Sequence, residues 1–220
     1  LRVNSATVGK LSNDRSGYEN LENIPCDCIC VSGNWTPTVH LSSQSGNKLK
    51  FDEIISAFIP NQSRQNETAV GSANGSFTLK KSLEDGFHKG FEISNRLTKK
   101  NIKSDTPSSN EKNYGKHEKF WCMPLPKNKD YKRCVDFQND VYVSDIELAI
   151  REGFRSIEHV KRYTTLGMAT DQGKTSNLNG LQLVSNIENK IVPEVGHTTF
   201  RPPYTPVTIG TIVGREVGKH

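Results

Sequence analysis

The sequence predicts an α+β chain of more than one domain: an α/β portion, then a small helical domain. Three observations predict it. A short apolar run, a glycine turn at Gly71 and Gly75, and a helical pattern from Phe77 to about Leu97 follow one another in that order. Residues 98–119 then carry almost no apolar groups and cannot bury enough surface to offset the entropy of ordering. Beyond them, apolar residues recur at helical spacing in three short stretches separated by glycine.

The first of these stretches opens at Ser144, three residues before Glu147, the spacing of a capping box. Ile146, Ala149, Ile150 and Phe154 form its apolar face, and Gly153 closes it. A second helix is expected from about Ser156, with Ile157 and Val160 inward and Gly167 as its stop. A third runs from about Thr175 through Leu178, Leu181 and Val184, and ends before Pro193. Between the second and third lies GMATDQGKTS, residues 167–176, a polar loop with two glycines and several hydroxyls. Such a loop leaves backbone N–H groups free, and Lys174 adds a positive charge beside them, which together suit a phosphate. It is not a Walker A loop: that motif has four residues between its glycines and follows a strand, whereas five separate Gly167 from Gly173 and a helix precedes them.

The remaining stretches are read in order. Residues 1–25 fit a strand and a turn. CDCICVSG, residues 26–33, alternates between Pro25 and Gly33 as a short strand with its three cysteines on one face. The cysteines serve as small buried packers in that reading rather than as metal ligands, since no histidine pair stands at ligand spacing. FDEIISAFIP forms a hydrophobic cluster, with a polar turn after it. In the helix after Gly75, the residues Leu79, Leu83, Phe87, Phe91 and Ile93 face inward. Strand, glycine turn and helix make the βα unit that aims a helix N-terminus at a dinucleotide. The full glycine fingerprint is absent, so a plain βα turn is an equal reading of Gly71-x-x-x-Gly75 on spacing alone. Phe120, Trp121 and Met123 form a packing plug, Pro124 and Pro126 keep the chain extended, and TIGTIVG near the end opens a strand.

Composition excludes several classes. The chain has 220 residues, 33% of them hydrophobic, enough for a core in one or two domains. A net charge of +5 without interleaved aromatic and basic residues reads as an ordinary surface, not a nucleic-acid face. No apolar run reaches the roughly 18 residues of a membrane helix, and no signal peptide is visible. Five cysteines in no framework spacing indicate a reducing, cytoplasmic setting. The chain opens on Leu1, and both ends read as cut through structure, so a fragment of a longer polypeptide is expected.

The block VDFQNDVYVSDIELAIREGFRSIEHVKRYTTLGMATDQGKTSNLNGL resembles the small helical domain in the alpha subunit of heterotetrameric sarcosine oxidase. GHTTFRPPYTPV is similar to the lead-in to that subunit's aminomethyltransferase-like folate domain. CDCICVSGNWTPTVHLSSQSG and VGSANGSFTLKKSLEDGFHKG resemble the end of its pyridine-nucleotide-binding, Rossmann-like domain. The resemblance implies four parts: residues 1–97 as the C-terminal part of the nucleotide domain, 98–130 as linker and extended crossing, 131–192 as a helical domain at an FMN interface, and 193–220 as the start of the folate domain. The helical block is also similar to bacterioferritin-associated ferredoxin domains, which hold a [2Fe–2S] cluster on four cysteines. Here Asp136, Gln138, Asp171 and Ser176 stand at those positions, which implies the scaffold without an iron–sulfur cluster.

The resemblance further implies oxidative demethylation of sarcosine to glycine, with hydrogen peroxide and either formaldehyde or methylene-tetrahydrofolate as products. FMN would lie at the junction with a beta subunit, NAD in the nucleotide domain, and FAD and tetrahydrofolate elsewhere in a complex that includes gamma and delta subunits. Candidate FMN contacts are Lys161, Arg162, Thr164, Thr165, Gln172, Lys174 and Thr175; candidate NAD contacts are Gly71, Ser72 and Asn74. For each residue singly, a solvated helix face or a satisfied nearby carbonyl is an equal reading. Relatives of this nucleotide domain often carry an acidic residue where this chain has Ser72, which favours NAD or a structural role over flavin there. The sequence contains no set of nucleophile, base and orienter, so no residue is assigned a catalytic role. Two other functions stand beside this one: an electron-transfer subunit of a related amine, proline or opine dehydrogenase, and a non-enzymatic interaction module.

Overall fold

The computed structural model describes residues 2–31, 33, 35–99, 104–111, 119–125 and 131–215. Their order is three antiparallel hairpins among helices. β1 (Ser5–Leu11) pairs with β2 (Tyr18–Pro25), and the register shifts between Val8 and Lys10. A short α1 (His40–Gln44) leads into β3 (Lys48–Asp52), which pairs with β4 (Ala57–Gln62). A 3-10 turn at Gly71–Asn74 precedes the long helix α2 (Leu79–Thr98). β5 (Cys134–Asp136) and β6 (Val141–Tyr142) form the third hairpin. It opens a helical unit of α3 (Val143–Arg151), α4 (Ile157–Thr164), α5 (Asn177–Glu188) and α6 (Val192–Val195). A short α7 (Ile209–Val213) comes last.

The core belongs to this helical unit. Val135 and Val141 from the hairpin meet Ile146 and Ala149 of α3, Ile157 and Val160 of α4, and Leu181 and Val184 of α5. Leu166, from the loop between α4 and α5, packs into the same cluster. Gly180 of α5 gives Leu166 its room, because a Cβ there would run into the leucine side chain. The predicted helices are present, with different ends. α3 starts one residue before Ser144, and its cap is the Asp145 carboxylate accepting from the Tyr142 N–H at 2.8 Å. The Ser144–Glu147 capping box is therefore displaced: β6 runs straight into the helix and fixes its first turn one residue early. α4 ends at Thr164, and its capping residue Thr165 takes the left-handed conformation ahead of Gly167.

Several expectations on the N-terminal side change. Residues 26–31 form no strand, because β2 has already ended at Pro25 and no other strand pairs with them. Cys28 and Cys30 are exposed and Cys26 half-buried, so alternation created a face without a partner to bury it. FDEIISAFIP is the end of β3, the turn and most of β4; Asp52 closes the turn by accepting from the N–H groups of Ile54 and Ile55. No strand precedes Gly71 at residues 68–70. All strand pairs among the described residues are antiparallel, so these residues do not form the parallel sheet of a complete dinucleotide-binding domain.

α2 matches its predicted span, with Thr78 as N-cap, yet none of its residues is buried. Leu79 in particular is 57% exposed, although its spacing places it on the apolar face. Of the expected plug, Phe120 and Met123 are exposed; Cys122 is the residue that packs on the core, held by an Arg133 N–H to its Sγ at 3.1 Å. Phe154 is not in the core either: it is 37% exposed and lies against Tyr163 with ring centroids 4.8 Å apart. TIGTIVG forms α7 rather than a strand, with Thr208 capping it through the Thr211 N–H. The expected linker and crossing at 98–130 lie partly outside the described residues; the described stretches 104–111 and 119–125 hold neither helix nor strand.

Candidate functional site

The hairpin turn after β5 and the loop between α4 and α5 meet around one buried carboxylate. Asp136 is 1% exposed. One of its oxygens accepts from the N–H groups of Gln138 (2.9 Å) and Asn139 (3.3 Å). The other accepts from the Gly167 N–H (2.8 Å) and the Ser176 hydroxyl (3.4 Å). The Gln138 carboxamide oxygen accepts from the Thr170 hydroxyl (3.0 Å) and the Asp171 N–H (3.4 Å). Asp171 in turn accepts from the Gly173 N–H, the Thr175 N–H and the Thr175 hydroxyl at 2.7 Å. Burial acts to raise the Asp171 carboxyl, but these bonds and the charge of Lys174 outweigh it and hold the group below its usual value.

Asp136, Gln138, Asp171 and Ser176 are thus joined in one hydrogen-bonded network. The resemblance to ferredoxin-type domains leads us to expect these four positions to stand where that pattern has cysteine. In this chain their side chains fasten the hairpin to the loop by hydrogen bonds. Gly167 and Gly173, both at positive φ, close around the Asn177 side chain, which a Cβ on either glycine would strike.

The loop was expected to keep its N–H groups free for a phosphate. They are taken. Gly167, Asp171, Gly173 and Thr175 donate to the side chains of Asp136, Gln138 and Asp171, while Met168, Gln172, Lys174 and Ser176 donate to carbonyls within the loop. The chain supplies its own anions; the sequence displays the donors without showing that Asp136 and Asp171 occupy them.

The hydroxyl and amide candidates are also engaged within the protein. Thr164 donates to the Val160 carbonyl at 2.8 Å, and Thr165 to the Thr164 carbonyl. Gln172 donates to the Ala169 carbonyl, and Thr175 to Asp171. The Lys174 ammonium donates to the Tyr204 carbonyl at 2.8 Å and sits 4.0 Å from that ring's centroid, pinning the C-terminal segment. Gly71, Ser72 and Asn74 lie in the turn against the β3–β4 hairpin: Gly75 at its end faces Ile55, Ile59 and Pro37.

A cationic group remains at the end of α4. Lys161 is half-buried; burial pushes its ammonium below its usual value, and the charges of Arg201 and Arg162 add to that against Glu158. Arg162 pairs with Glu158 at 3.3 Å, and Glu158 also accepts from the Thr199 N–H at 3.0 Å. Arg201 and Glu158 are site residues that sequence reasoning missed. The Glu158–Arg162 spacing of four on a helix could have flagged the pair; nothing local brings Arg201 to them. An anion fits this group by charge, whereas the filled loop amides offer it nothing.

Opposite the network, α1 and the C-terminal segment close on the loop. His40 is buried between Phe200, with ring centroids 3.9 Å apart, and Tyr204, at 5.7 Å. Its pKa falls to about 4, first from burial and then from the charge of Lys174, with Asp171 opposing. Among the described residues no group of three or more His, Cys, Asp or Glu side chains is arranged to hold a metal, and no helix is long and apolar enough to cross a membrane.

The chain has a mixed α/β fold, which it shares with the L-proline dehydrogenase of P. horikoshii at a TM-score of 0.65 and 18% identity, over 94% of this chain and 44% of that one. Its sequence carries the relationship further. Residues 130–215 match the family model of the sarcosine oxidase A3 domain. Sarcosine oxidase subunit alpha of Rhizobium meliloti (strain 1021) is 35% identical over 90% of this chain, and that of Corynebacterium sp. (strain P-1) 33% over 99%. This chain is a relative of sarcosine oxidase alpha subunits, and it spans about a fifth of their length (20% and 23%).

Proposed function

We propose that the chain is a segment of the alpha subunit of a flavin-dependent sarcosine oxidase. The observation that carries the reading is 32–35% identity to such subunits over 90–99% of this chain, hairpins and helical unit alike. The whole enzyme demethylates sarcosine oxidatively to glycine, giving hydrogen peroxide and either formaldehyde or methylene-tetrahydrofolate. A bound flavin supplies the hydride acceptor. The segment's own work is to hold and cover. Residues 131–192 face a beta subunit and FMN, with Lys161 and Arg162, joined by Arg201, attracting the flavin phosphate. Lys174 takes part by fixing the segment that carries Arg201 and Tyr204. Thr164, Thr165, Gln172 and Thr175 shape the loop behind those cations.

Residues 1–97 end a nucleotide domain whose NAD is held mainly by other parts of a longer polypeptide, with Gly71, Ser72 and Asn74 at its margin. Residues 98–130 cross between domains, and 193–220 lead into a folate-binding domain. FAD, tetrahydrofolate and the gamma and delta subunits complete a cytoplasmic heterotetramer in this reading. The fold shared with a proline dehydrogenase favours one alternative, an electron-transfer subunit of an amine, proline or opine dehydrogenase.

The test is an absorbance spectrum of the full-length chain co-purified with its beta subunit, followed by anaerobic titration. A flavin band bleached by sarcosine supports the oxidase. Bleaching by proline and not by sarcosine supports the dehydrogenase. An intact complex without a chromophore leaves an interaction module. In the oxidase, Lys161→Ala is expected to lower bound FMN at least several-fold.

A further inference from the structure

A small cavity lies where α1 meets the loop and the C-terminal segment. It holds about 50 Å³ of free space and is lined by Pro37, His40, Phe58, Asn177, Leu181 and Phe200, among others. Its wall is mainly apolar, yet two of these residues carry polar atoms in the wrong company. Both ring nitrogens of His40 and the carboxamide oxygen of Asn177 are buried without a hydrogen-bond partner in the protein. His40 is 5% exposed and Asn177 6%. The other end of Asn177 is satisfied, since its Nδ2 donates to the Thr198 hydroxyl at 3.1 Å. Buried polar groups are almost always bonded, and leaving one unbonded costs its full desolvation. A cavity this small, with unpaired polar atoms on the residues of its wall, can hold solvent: a water needs about 10–15 Å³ of such space, so about three to five fit.

We propose that this cavity is a binding site for a small neutral molecule that both donates and accepts hydrogen bonds, water in the resting protein, and that it bridges the His40 imidazole to the Asn177 carboxamide. A neutral imidazole offers one donor and one acceptor, and the Asn177 oxygen needs a donor. Only a molecule with both capacities answers both. The bridge fastens α1 to the start of α5, and so holds the loop that carries Lys174 from the side opposite the Asp136 network.

The test uses the full-length chain. A crystal structure that resolves ordered solvent is expected to show a peak within hydrogen-bond distance of both a His40 ring nitrogen and Asn177 Oδ1. An empty cavity, or direct bonds from both groups to protein, overturns the proposal. His40→Phe separates the cases in solution, because it keeps the ring's volume and removes its polar atoms. If the nitrogens are bridged, amide exchange at Asn177 and Gly180 speeds up several-fold in this variant. If they are orphaned, the apolar ring removes a penalty and exchange slows or stays unchanged, which overturns the bridge.

Discussion

The helical unit from Cys134 to Val195 and the N-terminal segments before Lys99 are made of similar residues but are stabilised differently. In the first, three helices and a hairpin turn their apolar faces toward one another, and Ile146, Ala149 and Val160 are fully buried. In the second, α2 is twice as long as α3 and equally well patterned, yet buries nothing completely. Periodicity makes a helix amphipathic; only a second element facing it makes a core. Side chains of the same type should therefore weigh differently in the two regions.

The largest expected effect is in the core. Ile146→Ala should cost about 2–5 kcal/mol of unfolding free energy in urea titration of the full-length chain. Asp136→Ala comes next. It removes the acceptor of three N–H groups and a hydroxyl, and a loss of roughly 2–4 kcal/mol is expected, with hydrogen exchange rising at Gly167, Gln138 and Asn139. Asp136→Asn, which keeps one acceptor, should lose less.

A pH titration probes the contact between the two regions. His40 binds its proton at about 4 in the folded chain and near 6.5 when unfolded, so the unfolded state takes up protons first. Its contribution is present above pH 6.5 and is lost as pH falls through 6.5 toward 4, by up to about 3 kcal/mol. Urea midpoints at stepped pH should show this slope, and His40→Gln should abolish it. Gly180→Ala should cost roughly 1–3 kcal/mol by forcing Leu166 aside. The smallest effect is expected on α2. Leu79→Ala, at a position 57% exposed, should fall within about 0.5 kcal/mol. A loss as large as that of Ile146→Ala would show that the apolar face of α2 is covered in the full-length protein.

Much of the helical unit could be read directly. Ile157, Val160, Leu181 and Val184 announce their burial by spacing alone, and Gly153 and Gly167 mark the ends of turns because positive φ is cheap only for glycine. The three alternating cysteines misled for the complementary reason, since alternation describes one strand and pairing needs two. The site divides the same way. Lys161, Arg162 and Lys174 were visible as charges, and Asp136, Gln138, Asp171 and Ser176 as polar residues where the resemblance to a ferredoxin pattern led us to expect cysteine. That these four would bond to one another, and that Asp136 and Asp171 would fill the loop's own amides, depends on a hairpin about 30–40 residues away in sequence.

By itself, then, the sequence determined the local and the periodic: where helices form, where glycine must turn the chain, and which family the order of its segments resembles. Only the tertiary structure decided which faces were covered, which charges were already partnered, and that His40 would meet Asn177 across a cavity. Local propensity acts through neighbours three or four residues apart. Burial and hydrogen-bond satisfaction are settled by whatever the fold brings into contact, and that information resides in no single stretch of the chain.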